Sequence, residues 1–241
     1  LKNLLDTMFK FDKLVFGDLG WGDELLLATL MTITVSILSM GLGLCLAIVT
    51  VWAKLITNRI ARLIANFYTT VVRGVPELLV IYLIFFGGNS VVMSVAKLFG
   101  YNGYIELNAL TIGTIAIAFI SATYSSEVIR AAYLSVNKGQ VEAAKALGLS
   151  KFQILLRVMG PQIIRFALPG IGNVWQITLK DTSLISVTGL VEIMRQTRIA
   201  SNVEHSPLTF LITAAFLYLF LTTFSGKFFK VLEVNYSKGY S

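Results

Sequence analysis

Long apolar stretches alternate with short polar ones along this chain. A helix needs about 20 mainly apolar residues to cross a bilayer; of five apolar stretches, 25–52, 63–86, 107–134 and 207–228 meet that need and 166–181 falls short of it. The hydroxyls of the first, Thr29, Thr32, Thr34, Ser36 and Ser39, are tolerable because each can bond back to a helix carbonyl. The second is interrupted by Arg73-Gly74-Val75-Pro76-Glu77, and Gly87-Gly88-Asn89 is expected to end it. Residues 90–106 read as a mixed loop with Lys97 and Glu106. The third carries Glu127 and Arg130 near its far end, and the fourth, weaker one closes on Lys180-Asp181. In 182–206, Glu192, Arg195, Arg198 and Glu204 are spaced for a short amphipathic helix. The pattern predicts an all-α membrane protein with five transmembrane helices: an N-terminal segment 1–24, a transmembrane domain 25–234 and a tail 235–241.

The longest polar run is 137–169, NKGQVEAAKALGLSKFQILLRVMGPQIIRFALP, with Lys138, Lys145, Lys151, Arg157 and Arg165 against one acid, Glu142. Two short helices can be read from it. Asn137 is a good N-cap, with Gln140 in the capping-box position. Residues 141–147 are helix formers, and Gly148 stands where a left-handed residue closes a helix. Ser150 starts again, with Gln153 three residues on. The second helix is expected to run to about Met159, where Gly160 and Pro161 stop it.

Composition agrees. The 241 residues are 56% apolar and 14% charged, with a mean hydropathy of +0.76, whereas a soluble domain carries about 25% charge. The net charge of +7 suits loops beside anionic lipid, and no nucleic-acid motif accompanies it. The single cysteine, Cys45, lies in an apolar run and permits neither an intramolecular disulfide nor a cysteine metal site. Residues 1–24 mix Asp6, Asp12, Asp18, Asp23 and Glu24 with Leu4, Leu5, Met8, Phe9 and Phe16. They read as an amphipathic helix on the membrane surface rather than a signal peptide. Most basic residues fall in the 53–62 loop, the 130–165 loop and the tail. By the positive-inside rule these are cytoplasmic, with the N-terminus outside and the C-terminus inside.

Charges inside spans are expensive and usually paired or functional. Arg73 and Glu77, four apart, would share a helix face. They read either as an internal ion pair beside the Pro76 kink or as a gate. Glu127 and Arg130 read as interfacial support for the hairpin. Asn173, Gln176 and Lys180 make one polar stripe, which suits a water-filled path or hydrogen bonding across a subunit interface. Trp175 lies off that stripe and reads as packing. Asp181 and Glu192 read as outer-face residues, solvated or attracting cations or a binding protein. His205 has no second ligand near it in sequence. No Ser/His/Asp, HExxH or paired-carboxylate arrangement invites an enzymatic reading. The absence of GxxxxGK[ST] excludes an ATPase of the P-loop kind.

Two groups of motifs carry a resemblance. Glu142-Ala143-Ala144, three residues, Gly148, nine residues and Val158-Met159-Gly160-Pro161 resemble the EAA loop of ABC importer permeases, with Gly160 where the family has Leu. Arg73-Gly74-Val75-Pro76-Glu77-Leu78-Leu79, Leu168-Pro169-Gly170-Ile171-Gly172-Asn173 and Lys180-Asp181-Thr182-Ser183-Leu184 resemble polar amino acid permeases, in particular the Q-type subunit of histidine, lysine–arginine–ornithine and opine importers. The likeness covers about 25–230.

The resemblance implies a type I ABC importer permease in a bacterial inner membrane, importing polar or basic amino acids. The loop 137–161, through Glu142, Ala143, Ala144, Gly148 and Pro161, would engage an ATPase subunit. Arg73, Glu77, Asn173, Gln176 and Lys180 would line the path. No cofactor is implied for this chain; ATP and magnesium belong to two ATPase subunits. A solute-binding protein and a second permease complete the assembly. In partner-type permeases an acid follows the fourth-span Asn. Here that residue is Val174, so the second permease is expected to be a paralogue that supplies the acid. The rivals are a secondary transporter or channel working without an ATPase, and a membrane enzyme. No internal repeat supports the former, and no catalytic cluster supports the latter.

Overall fold

The computed structural model describes residues 10–17, 20–101, 103 and 108–237. Its helices are α1 (Gly22–Leu55), α2 (Arg59–Gly74), α3 (Glu77–Leu98), α4 (Ala109–Leu134), α5 (Lys138–Ala146), α6 (Gly160–Asp181), α7 (Ile193–Glu204) and α8 (Pro207–Ser237). Among the described residues five segments are long and apolar enough to cross a membrane: Gly22–Leu55, Glu77–Leu98, Ala109–Leu134, Lys151–Thr188 and Pro207–Tyr236. Of the N-terminal segment, residues 1–9, 18 and 19 lie outside the described ones. Phe11–Leu14 form a 3-10 turn, and Asp23 and Glu24 already belong to α1.

In lipid, helices gain nothing from apolar contact alone and approach through small residues. α4 is the centre of the fold for this reason. Gly113, Ala116, Ser121, Ala122 and Ser125 leave it slender and buried. α1 lies parallel to it through Ser36, Ser39, Gly43 and Ala47. Ser39 Oγ donates to the Thr114 carbonyl at 3.1 Å. A Cβ at Gly43 would stand 2.2 Å from Ser121 Oγ, so only glycine permits this approach. α6 and α8 close the other side, with Ala214, Leu221, Leu179 and Ile193 in one apolar cluster. α1, α4 and α8 run one way and α3 and α6 the other, so the C-terminal ends of α1, α4 and α8 share one end of the bundle with the hairpin.

The second crossing differs from expectation. The helix does not pass through Arg73–Glu77. α2 ends at Gly74, and α3 is the spanning segment. Pro76 has no N–H and forces Val75 into an extended conformation, φ −111° and ψ 144°. α2 is amphipathic with its apolar stripe outward: Ile60, Leu63, Ile64 and Phe67 are exposed, while Asn66, Thr69, Thr70 and Arg73 of its polar side line a cavity. Nor do Gly87-Gly88-Asn89 end a helix. α3 continues to Leu98, because a backbone in an apolar surrounding has no other partner for its N–H and C=O groups. The loop expected from residue 90 is therefore largely helix, with Glu106 outside the described residues.

The fourth crossing is longer and more irregular than expected. It begins at Lys151, not near Phe166, and α6 passes through Thr182–Thr188, a 3-10 segment, before the chain reverses at Gly189, φ +98°. α7 then continues toward the end opposite the hairpin. The expected amphipathic helix is thus present, with one face packed against α1 and α8 and the other exposed. Its cap, Glu192, is 0% exposed. Glu192 accepts from the Met194 N–H at 2.9 Å, the Arg195 N–H at 2.8 Å and the Tyr218 hydroxyl at 2.9 Å. A solvated outer-face role for Glu192 is thereby excluded, and Asp181, 9% exposed, is likewise buried.

Candidate functional site

The hairpin is built by local rules. Asn137 caps α5 by accepting from the Gly139 N–H at 2.8 Å. Gln140 does not complete a capping box; its side-chain oxygen accepts instead from Gln162 at 2.6 Å, tying α5 to α6. At the far end of α5, the Gly148 N–H reaches the Lys145 carbonyl at 2.9 Å and the Leu149 N–H reaches that of Ala144 at 3.2 Å. This paired closure needs a left-handed residue, and Gly148 has φ +77°. Ser150 and Gln153 form a reciprocal capping box at 3.3 and 2.9 Å. Both starts and the turn between them are fixed within a few residues of sequence.

Gly160 and Pro161 do not stop the second helix. The backbone widens into a π-helical turn, Ile154–Met159, and passes directly into α6. A proline ring in a regular helix collides with the carbonyl four residues back. Here the Gly160 N–H bonds to Leu155, five residues back, and Pro161 sits in the first turn of α6. A Cβ at Gly160 would lie 2.9 Å from the Leu155 oxygen, which explains a glycine where the family pattern has leucine. The second half of the hairpin and the fourth crossing are therefore one continuous helical rod.

Of the motif's two alanines, Ala144 is buried within the chain, while Glu142 and Ala143 are exposed. Leu147 is 81% and Phe152 68% exposed at the hairpin's tip. Beneath α5 lies a cavity of about 290 Å³ lined by Tyr133, Leu134, Val136, Val141, Glu142 and Met159, among others.

The polar interior centres on the α2–α3 break. Arg73 ends α2 and Glu77 begins α3, each favourably placed at its helix terminus. They do not share a helix face, and no ion pair joins them among the described residues, because the break turns them apart. Both meet Tyr124 of α4 instead. The Arg73 guanidinium lies 5.4 Å from the centre of its ring, and the Tyr124 hydroxyl donates to Glu77 Oε1 at 2.9 Å. The Asp181 carboxyl of α6 lies beside that of Glu77. One tyrosine thus joins the break in the second crossing to the end of α6.

Toward the hairpin, the polar side of α2 opens a cavity of about 420 Å³ lined by Lys54, Asn66, Thr69, Thr70, Arg73, Gly74 and Glu127. Lys54, whose side chain is 5% exposed, forms an ion pair with Glu127 and donates to Thr69 Oγ1 at 2.7 Å. Arg130 Nε donates to Glu127 Oε2 at 3.1 Å. The expected role of Glu127 and Arg130 beside the hairpin thus includes a third member, Lys54, and binds α1, α2 and α4 together. The expected stripe divides. Asn173 and Lys180 are exposed on α6, while the Gln176 amide donates to the Thr222 carbonyl at 3.1 Å and to Ser225 Oγ at 3.3 Å on α8. Trp175 packs on Phe229, ring centres 6.3 Å apart.

Tyr124, Asp181 and Lys54 were not legible as site residues. Their carboxylate partners lie 47 or more residues away, and each reads locally as an ordinary span or span-end residue. No group of three or more His, Cys, Asp or Glu able to hold a metal occurs among the described residues.

Residues 39–236 match the model of a protein family described as binding-protein-dependent transport system inner membrane component. The chain is 48% identical over 227 residues to the nopaline transport system permease protein of Agrobacterium fabrum, covering 94% of this chain and 96% of that one. It is 37% identical to the histidine/lysine/arginine/ornithine transport system permease protein of Escherichia coli, covering 91% and 96%. The fold resembles a chain in a crystal structure of an amino acid ABC transporter with histidines, at TM-score 0.76 and 28% identity, covering 89% and 95%. A chain of the MetNI methionine ABC transporter shares the fold at TM-score 0.67 and 12% identity, covering 90% and 95%. With its five candidate spans, its EAA-like hairpin and these matches, the chain is a multi-pass inner-membrane permease component and belongs to the binding-protein-dependent transport system family.

Proposed function

We propose that this chain is the permease subunit of an ATP-driven importer for opines or basic amino acids, with the hairpin as its lever. The observation that carries the proposal is the doubly capped, exposed hairpin running without interruption into the fourth crossing. A lever must be stiff, and capped helices joined by a fixed turn are stiff. It must be grippable, and Leu147 and Phe152 present apolar side chains at its tip. It must reach the path. The rod leads through α6 to Asp181, whose carboxyl lies beside that of Glu77 at the break.

The hairpin end faces the cytoplasm, since it gathers Lys54, Arg59, Arg62 and the hairpin's own basic residues. Two ATPase subunits dock there, holding the ATP and magnesium, and a solute-binding protein delivers substrate at the other end. Arg73, Glu77, Asn173 and Lys180 belong to the path. Gln176 contributes by holding α6 on α8. The exposed stripe from Asn173 to Lys180 offers no acid to a cationic substrate, and Val174, 3% exposed, faces the chain's own interior. The second permease is a different chain that adds an acid opposite this stripe to the one Glu77 brings to the path.

The test is reconstitution with the co-purified ATPase, second permease and binding protein. Nopaline, octopine, arginine and histidine are offered on the binding-protein side, with ATP on the hairpin side. Uptake that requires ATP supports the proposal. Uptake by this chain without the ATPase, driven by an ion gradient, would instead establish a secondary transporter.

A further inference from the structure

We infer that the cavity between α1, α2 and α4 is a carboxylate-binding subsite on the path, and that it selects N-carboxyalkyl amino acids, which carry a second carboxylate, over free basic amino acids. The inference rests on the permease reading above and narrows the substrate class it serves. The cavity has a volume of about 420 Å³, within the range of small-molecule sites. Lys54 of α1 and Glu127 of α4 stand in its lining with Asn66, Thr69, Thr70 and Arg73 of α2. Helical spacing puts Asn66, Thr69 and Arg73 on a different side of α2 from the exposed Ile60, Ile64 and Phe67, so the cavity does not lie on the apolar stripe.

Charge decides the ligand. Glu127 is the one acid among the described lining residues, and both of its oxygens are engaged, Oε1 by Lys54 and Oε2 by Arg130. Arg73 adds a further cation, which has no ion-pair partner among the described residues. Lys54, Arg73 and Arg130 thus share a single carboxylate. Asn66 and Thr70 are exposed and add uncharged donors. Toward the hairpin end the polar side of α2 continues with Arg62 and Arg59, both exposed, and α2 holds no acid. An excess of positive charge beside a membrane interior is costly unless an anion joins it. Free arginine is cationic overall and is disfavoured here. An N-carboxyalkyl arginine such as octopine is neutral overall, and nopaline, with a further carboxylate, is anionic. Such a molecule also has the matching polarity from end to end. Arg73, which lines the cavity, lies over the Tyr124 ring, and the Tyr124 hydroxyl donates to Glu77. Cations and then an acid follow one another along the path. The carboxylates meet Lys54 and Arg73 while the guanidinium turns to Glu77.

The test measures binding of labelled octopine and labelled arginine to the assembled transporter, without its binding protein, by equilibrium dialysis in phosphatidylcholine nanodiscs. Octopine should bind about tenfold more tightly, the worth of one charge-assisted contact. Arg73→Gln removes a cation from the cavity. Asn66→Asp, an isosteric change at an exposed position, places a carboxylate in it. Each should erase most of the preference, and Arg73→Lys should keep it. Equal binding of the two ligands, no binding of octopine, or a preference that survives both charge changes overturns the subsite. A lipid phosphate shares the chemistry of a carboxylate, so the nanodiscs are also prepared with phosphatidylglycerol. Octopine binding that is unaffected by this lipid supports the assignment. Octopine binding that falls with it gives the cavity to a lipid headgroup and overturns the assignment. The uptake assay above separates this failure from failure of the permease reading. A transporter with ATP-dependent uptake but no preference between the two ligands refutes the subsite alone, whereas uptake that needs no ATPase refutes the reading beneath it.

Discussion

The hairpin and the α2–α3 break lie at opposite ends of the same continuous rod and are built in opposite ways. The hairpin is exposed, and its caps and turn each span a few residues: Asn137 to Gly139, Lys145 to Gly148, Ser150 to Gln153. The break is held from far away, by Tyr124 of α4 and Asp181 of α6 closing on Arg73 and Glu77. A locally determined element keeps its shape while its surroundings move, which is what a lever needs. An element held by several distant helices reports when they shift, which is what a gate needs. The lesson is that rigidity and responsiveness are assigned here by the range of the contacts.

The largest effect should come from the lever. Gly148→Val forces a β-branched residue into a left-handed conformation that costs a residue with a Cβ about 1–2 kcal/mol, and it misaims the second half of the hairpin. Insertion should be unchanged and ATP-dependent uptake abolished; normal uptake would show that the turn is not part of coupling. Next is the Lys54 network. Lys54→Met leaves Glu127 with Arg130 as its remaining partner, and breaking a buried pair costs about 3–5 kcal/mol. Because Glu127 is partly exposed, the lower end of that range or less is expected in detergent unfolding. Adding Glu127→Gln should recover part of it, and an unrecovered double variant would mean that Lys54 acts through packing alone.

Tyr124→Phe removes the hydroxyl donated to Glu77 and should destabilise by about 1–3 kcal/mol. Combined with Glu77→Gln, its effect should be clearly less than additive, whereas Arg73→Ala and Glu77→Ala should be close to additive because those two do not pair. The reverse pattern would restore a direct Arg73–Glu77 pair. The smallest effect is at the cap. Ser150→Ala removes half of a capping box, worth about 0.5–2 kcal/mol to the short helix, and should slow uptake without abolishing it.

The same contrast explains what was legible in the sequence. The number of crossings, the hairpin, the Gly148 turn and the Ser150 box are written in hydrophobic period and cap residues, which act locally. The end of the second helix was misread because Gly160-Pro161 is a strong local stop signal. The chain answers it with a π turn that only glycine at 160 permits. Arg73 and Glu77 were misread because four-residue spacing implies a shared face only in a helix that continues, and Pro76 interrupts it. Asp181 and Glu192 look solvated because charge suggests exposure; the burial of Glu192 is met by the Tyr218 hydroxyl and the α7 N-terminus. No local signal encodes Tyr218, 26 residues from Glu192.

The central claim is that the hairpin tip is gripped by an ATPase subunit and transmits its movement. A single cysteine at Leu147, introduced with Cys45→Ser in the assembled transporter, tests this by cross-linking. The account predicts a disulfide or short cross-link to the ATPase subunit, with a yield that changes when ATP is bound, and loss of uptake once it forms. A transporter that still imports in an ATP-dependent manner, yet shows no cross-link from position 147 to the ATPase in either nucleotide state, would contradict it.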